Sequence, residues 1–97
     1  MHINFTGHNI EVTKALQNLV ESKFTKIKRH FDNITSAHVV FEVEKHEKKV
    51  EATIHIPGHQ LHASGKSDDM YKAIDQMIAA LDKQVIKYKE KMNEHRE

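Results

Sequence analysis

Alternating apolar and polar residues mark four segments of this chain as β-strands. Ile3 and Phe5 alternate with polar neighbours as far as Gly7, which predicts a short, half-buried first strand. Three later segments show the same alternation, with apolar residues on one face only. Their inward-facing residues are Val39, Phe41 and Val43, then Val50, Ala52, Ile54 and Ile56, then Leu61, Ala63 and Gly65. The pattern predicts a sheet that is covered on one side and open on the other.

Two turns separate these later strands. The polar run from Lys45 to Lys49 is predicted to connect the second strand to the third. Pro57 and Gly58 should end the third strand, because proline lacks a backbone donor and glycine favours tight turns. A short final strand then ends the sheet.

Two longer segments follow the helical period of about 3.6 residues. The first carries apolar residues from Leu16 to Phe31, with Thr13 as its predicted N-cap. This helix is predicted to stop near Asp32 and Asn33, which favour turns.

The second helix is predicted to begin at Ser67. Its hydroxyl should cap the helix, and Asp68 and Asp69 should follow at the positive end of the helix dipole. The apolar stripe consists of Met70, Ala73, Ile74, Met77, Ile78, Leu81, Val85, Tyr88 and Met92. Residues 93–97 are predicted to fray.

The predicted fold class is α+β, with element order βαβββα. The helix between the first two strands makes them parallel, whereas the following hairpins reverse the chain. The result is a two-layer sandwich, in which two parallel helices cover one face of a four-stranded sheet. Residues 1–97 are predicted to form a single domain, because this length supports one modest core.

Composition excludes several classes of function. The chain has no cysteine, which rules out disulfides, thiolate chemistry and cysteine-based zinc motifs. No apolar run approaches the roughly 18 residues of a membrane span. The N-terminus also lacks a signal-peptide pattern. We therefore expect a cytoplasmic protein that binds no membrane and no cofactor.

Positive charge is concentrated in the two helices, although the net charge is only +1. Residues 13–31 hold five Lys or Arg and one Glu. Because the helices are predicted to run parallel, their basic C-terminal halves should form one basic field on one flank. The acids Asp75 and Asp82 are expected elsewhere around the second helix. The cations concerned are Lys23, Lys26, Lys28, Arg29, Lys83, Lys87 and Lys91.

Lysines near the end of a single helix need no functional explanation, because the helix dipole and solubility both favour them. Two parallel helices with the same bias instead favour a phosphate-bearing partner. The residues alone favour nucleic acid over small anions only weakly, since few aromatic side chains are present to stack on bases. The nine histidines would strengthen binding to any polyanion in mild acid.

Metal binding and catalysis are not predicted. The stretch HIPGHQLH places His55, His59 and His62 around a turn. We predict no functional metal there, and the alternative is adventitious binding of a divalent ion. These residues do not supply a closed set of four ligands. No nucleophile elbow surrounds Ser64, and no paired carboxylates mark a cleft, so we predict no catalytic residues and no enzymatic activity.

Three stretches of the chain resemble the ribosome hibernation-promoting factors, a family that includes the inhibitor protein Y. They are INFTGHNIEVTKAL, VVFEVEKHEKKVEATIHIPG and LHASGKSDDMYKAIDQMIAALDKQVIKYKEK, and the resemblance spans residues 1–92. The most specific element is DMYKAID, which resembles the helix-opening signature of the family. Its structural residues are Asp69, Met70, Tyr71, Ala73, Ile74 and Asp75.

The resemblance implies a fold similar to double-stranded-RNA-binding domains and a site on the small ribosomal subunit. Family members occupy the channel of messenger RNA and of tRNA in the A and P sites, and so block translation. Basic residues on both helices face ribosomal RNA, a role that carries over to the seven cations named above. Lys89 and Arg96 are secondary candidates.

The resemblance also implies a role in stationary phase or stress. Long family members carry a second domain that pairs ribosomes. We expect the short form here, because no such domain is present. The short form acts with a ribosome-modulation factor to favour inactive ribosome dimers, and we expect a monomer off the ribosome.

Three alternatives stay open at this point. A protein Y-like inhibitor would stabilise single inactive ribosomes without promoting dimers. A generic RNA-binding module would use the same cations away from the ribosome. A protein-interaction domain would use the open face of the sheet instead.

Overall fold

The computed structural model describes residues 2–31 and 33–94, with side chains as far as Lys91. The elements are β1 (His2–His8), α1 (Lys14–His30), β2 (Ser36–Glu44), β3 (Glu47–Ile56), β4 (His59–Ser67) and α2 (Met70–Glu94). The predicted α+β class and the order βαβββα are confirmed.

The four strands form one sheet in the order β1-β2-β3-β4, so β1 and β4 are its edges. As predicted, β1 runs parallel to β2, and the two hairpins make the remaining pairs antiparallel. Phe41 lies opposite Val50, which in turn lies opposite Gly65. Rows of this kind build the covered face, while the alternate rows are polar apart from Val40 and form the open face.

Both helices pack on the covered face. Phe24 and Ile27 of α1 and Ile74, Met77 and Leu81 of α2 are fully buried in one core. Burial of these apolar stripes stabilises the two-layer arrangement, at about 25 cal/mol per Å² of apolar surface removed from water.

Gly65 allows the backbone of α2 to touch β4 directly. A Cβ atom at this position would lie 2.0 Å from the carbonyl oxygen of Ala73 and 2.7 Å from the backbone nitrogen of Met77. Only glycine fits such an approach. The separation between α2 and β4 is therefore set by backbone contact.

The strands and the turn between them differ from the prediction. Only Lys45 and His46 form the turn after β2, and β3 already begins at Glu47. Strand β4 is nine residues long and is not short. The polar residues of β3 and β4 point to the open face, which is why polarity alone gave the wrong boundaries.

The first helix begins and ends where the sequence indicated. The backbone N–H of Leu16 donates to Thr13 Oγ1 at 3.2 Å, which confirms the N-cap. Phe31 leaves the helical conformation, and its N–H donates to Ile27 O at 3.1 Å.

The start of α2 was predicted two residues too early. Ser67 is the last residue of β4, and the cap is Asp69, whose Oδ1 accepts from the Tyr71 N–H at 3.1 Å. Ser67 Oγ accepts from the Asp69 N–H and so supports the turn before the cap. At the other end, the helix continues through Glu94, and residues 95–97 lie outside the described ranges.

Candidate nucleic-acid interface

The last turns of α1 present cations to solvent. Burial of Val20, Phe24 and Ile27 fixes the rotation of this helix about its axis. Lys26, Lys28 and Arg29 consequently lie exposed, and no acidic residue follows Glu21 within α1. We call Lys26, Lys28 and Arg29 the α1 cluster.

Two ion pairs join α1 to α2. Lys23 Nζ lies 2.6 Å from Asp75 Oδ1, and His30 Nδ1 lies 2.6 Å from Asp82 Oδ1. We call these four residues the helix seam. The expectation that Asp75 and Asp82 lie away from the basic residues is wrong, because both face α1. The charge of Lys23 is thus largely used inside the protein.

The spacing of the helix seam confirms that the helices are parallel. Each helix advances seven residues, or about two turns, between one ion pair and the next. Lys26 lies between the two pairs, level with Ile78 and Ala79, which offer no charge. Among the described residues on this border of α1, Lys26 is therefore the cation without an ion-pair partner.

Asp82 is the one buried charged residue in the part of the chain that the structure describes. Its side chain is 13% exposed, whereas the side chain of His30 is 40% exposed. A buried carboxylate needs a partner because its desolvation is costly. The hydrogen bond from His30 supplies that partner, so this pair has a structural role.

Lys83, Lys87 and Lys91 lie along the other side of α2. They line an open groove of about 940 Å³ between α2 and β4, together with His59 and Leu61. We call this concavity the β4 groove and the three lysines the α2 cluster. Lys91 is nine residues after Asp82, which turns it about 180° away from the helix seam.

The predicted single basic field is therefore two clusters. The prediction that the two clusters share one end of the molecule is right. The last residue of α1, His30, lies beside Asp82, and the α2 cluster begins at the next residue, Lys83. The prediction that they share one flank is wrong, because α2 lies between them. None of the six lysines and arginines in the two clusters forms a salt bridge with a described carboxylate.

Lys89, a secondary candidate in the sequence, is placed where it can act together with the α1 cluster. It is exposed and lies seven residues after Asp82, so it continues the line of the helix seam beyond the end of α1. This puts Lys89 on the flank of the α1 cluster. The other secondary candidate, Arg96, lies outside the described residues.

The signature DMYKAID is explained by four structural roles. Asp69 caps α2, while Met70, Ala73 and Ile74 are buried. Asp75 pairs with Lys23. Tyr71 is 60% exposed, so its ring is mostly in water and its structural part is played by its backbone N–H.

The three histidines of HIPGHQLH do not converge. His55 and His62 are exposed on the open face, where His62 Nδ1 lies 2.9 Å from Thr53 Oγ1. His59 pairs with the inward-facing Ile56 and points towards α2. The described residues contain no group of three or more His, Asp or Glu arranged to hold a metal ion.

An aromatic contact that the sequence did not reveal closes one end of the β4 groove. The His59 and Tyr88 rings stack at a centroid distance of 5.3 Å and an interplanar angle of 8°. Phe31 meets Tyr88 edge-on at 5.8 Å. The only available signal was the apolar position of Tyr88 in the stripe of α2, which does not identify a partner.

On the open face of the sheet, two lysines are paired with carboxylates. Lys49 Nζ lies 2.8 Å from Glu51 Oε1, and Lys66 Nζ lies 3.5 Å from Glu47 Oε2. The hydrogen bond from Lys49 holds the pKa of Glu51 below its ordinary value, and the same bond raises the pKa of Lys49.

The model of the family described as Sigma 54 modulation protein / S30EA ribosomal protein matches residues 3–93. The chain belongs to this family. The ribosome hibernation promoting factor of Azotobacter vinelandii is 45% identical over 97 residues, which covers 100% of this chain and 91% of that relative. The factor of the same name from Escherichia coli (strain K12) is 43% identical over 95 residues, covering 98% and 100%.

Two solved structures support the S30EA assignment. A ribosomal subunit interface protein from Coxiella burnetii superposes with a TM-score of 0.86 at 38% identity, covering 92% of this chain and 98% of that one. The N-terminal domain of Thermus thermophilus Protein Y gives 0.84 at 29% identity, covering 91% and 99%. The predicted relationship to the hibernation-promoting factors is confirmed.

The S30EA family consists of ribosome hibernation factors, which are binding proteins without enzymatic activity. The prediction that the chain is not an enzyme is therefore confirmed. Within the described ranges, neither helix is long and apolar enough to cross a bilayer.

Proposed function

We propose that this protein binds the small ribosomal subunit in the channel of messenger RNA and tRNA, covers the A and P sites, and blocks translation. The observation that carries the proposal is the presence of two cationic clusters without carboxylate partners, on opposite flanks of α2. Relatives named ribosome hibernation promoting factor support the ribosome as the partner.

The mechanism is occupancy of the channel and involves no chemical reaction. Lysines and arginines of the two clusters replace counterions around ribosomal RNA phosphates, which favours binding and makes it salt-dependent. Structured RNA is recognised largely by shape, so a narrow two-layer wedge with cations on two flanks suits a channel between RNA strands. The protein acts in the cytoplasm as one domain and as a monomer off the ribosome.

We further propose that the protein acts in stationary phase and stress, together with a ribosome-modulation factor, to favour inactive ribosome dimers. The full-length similarity to hibernation promoting factors supports this. A second candidate is inhibition of single ribosomes without dimers, which the structural similarity to Protein Y favours. Sucrose-gradient profiles with and without the modulation factor separate these two outcomes.

The test of subunit binding is co-sedimentation with purified small subunits at several salt concentrations. The test variant is Lys26→Gln/Arg29→Gln/Lys87→Gln/Lys91→Gln. The control, Lys14→Gln/Lys45→Gln/Lys66→Gln/Lys72→Gln, removes the same charge from exposed residues outside both clusters. We expect the test variant to lose affinity on the order of 100-fold and the slope of log affinity against log salt to fall by about 3 units.

The control variant should bind within about threefold of the natural protein. Equal losses in both variants would show that only net charge matters and would contradict the proposed interface. Equal binding to small subunits and to unrelated duplex RNA would instead favour a generic RNA-binding module.

A further inference from the structure

The β4 groove has a floor, a rim and a closed end of different chemistry. Leu61 and Ala80 form an apolar floor, and the α2 cluster lines the rim. The stacked rings of His59 and Tyr88 stand at one end. At about 940 Å³, the groove has the size of a small-molecule binding site, which is enough for a nucleotide.

The aromatic end offers a fixed surface for stacking. Tyr88 is held on one side by His59 and edge-on by Phe31, so its ring cannot turn freely. His59 is exposed, and Tyr88 covers one face of its ring. The opposite face of the imidazole is left for a ligand, and stacking of a base on such a ring raises affinity by about 5–100-fold.

The rim suits a chain of phosphates. Lys83, Lys87 and Lys91 follow one another at about 6 Å along the helix axis. This spacing is similar to the distance between neighbouring phosphates of an extended single strand. Glu90 is the one acid among the described residues that line the groove, so the charge of the rim is clearly positive.

An unpaired RNA nucleotide uses all three features together. In a duplex the bases are stacked inside, so only the lysines would be engaged. An acidic peptide could pair with the free edge of β4 but would leave the imidazole face unused. We infer that the β4 groove binds an unpaired nucleotide of ribosome-bound RNA, with its base against His59 and its adjoining phosphates on the α2 cluster. This inference rests on the proposed function.

The test uses matched histidine variants of the whole protein. His59→Ala removes the stacking surface, whereas the control His55→Ala removes an exposed histidine of the same hairpin on the open face. A third variant, His59→Phe, keeps a flat ring and distinguishes loss of stacking from loss of fold. Thermal unfolding of each variant checks that the fold is kept.

The binding probes are a single-stranded hexa-adenylate and a six-base-pair RNA duplex at low salt. In a Tyr71→Phe background, Tyr88 is the sole tyrosine, since the chain has two. Its fluorescence then reports on the groove. We expect the single strand, but not the duplex, to change Tyr88 emission. The His59→Ala variant should bind the single strand about 5–100-fold more weakly than the natural protein. His55→Ala and His59→Phe should bind within about threefold of the natural protein, and Glu90→Gln should bind more tightly.

Small-subunit sedimentation with the same variants separates the two proposals. If the natural protein binds subunits and His59→Ala and His55→Ala behave alike in both assays, the groove inference is overturned and the proposed function stands. If subunits are not bound but the single strand depends on His59, the proposed function fails and the nucleotide groove stands without the ribosome. If His59→Ala, but not His55→Ala, loses binding to subunits and to the single strand, both proposals are supported.

Discussion

The two flanks of α2 carry similar charged residues but use them differently. On the flank that faces α1, Asp75 and Asp82 are paired with Lys23 and His30. On the flank of the β4 groove, Lys87 and Lys91 have no described carboxylate within salt-bridge distance. One flank holds the fold together, and the other leaves its charge free for a partner. The position of a lysine on a helix is therefore a poor guide to function until its neighbours are known.

The largest expected effect comes from displacing α2 and both of its flanks at once. Gly65→Ala would place a Cβ against the backbone of Ala73 and Met77, so we expect a loss of about 3 kcal/mol in the free energy of unfolding. Urea denaturation measures this, with Ser64→Ala on the open face as the control. A loss below about 0.5 kcal/mol for Gly65→Ala would contradict the direct backbone contact.

The second prediction separates the two partners of the buried ion pair. His30→Ala leaves the Asp82 carboxylate buried without a partner, which should cost about 2 kcal/mol of unfolding free energy. Asp82→Ala leaves an imidazole that water can solvate, so the cost should be nearer about 1 kcal/mol. The double variant should be no less stable than His30→Ala alone. Additive losses in urea denaturation would show that the pair does not act as a unit.

The third prediction compares a paired lysine with a free one on the same border of α1. Lys26→Gln should weaken small-subunit binding about fivefold and lower the salt slope by about 1 unit. The double variant Lys23→Gln/Asp75→Asn should change binding by less than about twofold, because the pair has no net charge to lose. Asp75→Asn should strengthen binding by releasing that charge. Equal losses of subunit binding for the Lys26 and Lys23/Asp75 variants in the sedimentation assay would show that paired and unpaired lysines contribute alike.

The smallest expected change in stability comes from removing the exposed ion pair Lys49–Glu51. This pair is the exposed counterpart of the ion pairs in the helix seam. The pKa of Glu51 is lowered from 4.5, so its stabilisation is present above that pH and lost as pH falls through the lowered value. The pKa of Lys49 is raised from 10.5, so the pair persists until pH rises through that higher value.

Lys49→Met should therefore shift the urea midpoint slightly at pH 7 and not at all in strong acid. The exposed Lys45→Met serves as the control. A shift of the same size for Lys49→Met at pH 7 and in strong acid would show that the ion pair is not its cause.

Much of the fold could be predicted because local patterns and the core agree. Thr13 has the capping side chain, and the alternation from Val39 to Val43 matches the buried face of β2. Ser67 was misassigned because three consecutive residues there can cap a helix. Only the length of β4, which runs through Ser67, decides in favour of Asp69.

The site was predicted less completely, since pairing across elements leaves no mark in sequence spacing. The contact between His30 and Asp82 joins residues 52 positions apart. The stack of His59 on Tyr88 likewise depends on how the β3–β4 hairpin reaches the end of α2. The sequence identified which cations are on each helix but not which flank they occupy.

The equal steps of the helix seam fix how α1 and α2 lie along each other. A slip of α2 by one turn would set Lys23 against Tyr71 or Ala79, and His30 against Ile78 or Ile86, where no carboxylate is available. The two helices therefore have one axial alignment in which both ion pairs form. This alignment sets the distance between the α1 and α2 clusters. If the two clusters bind RNA as proposed, two RNA strands that are too close together or too far apart would contact only one of the two flanks.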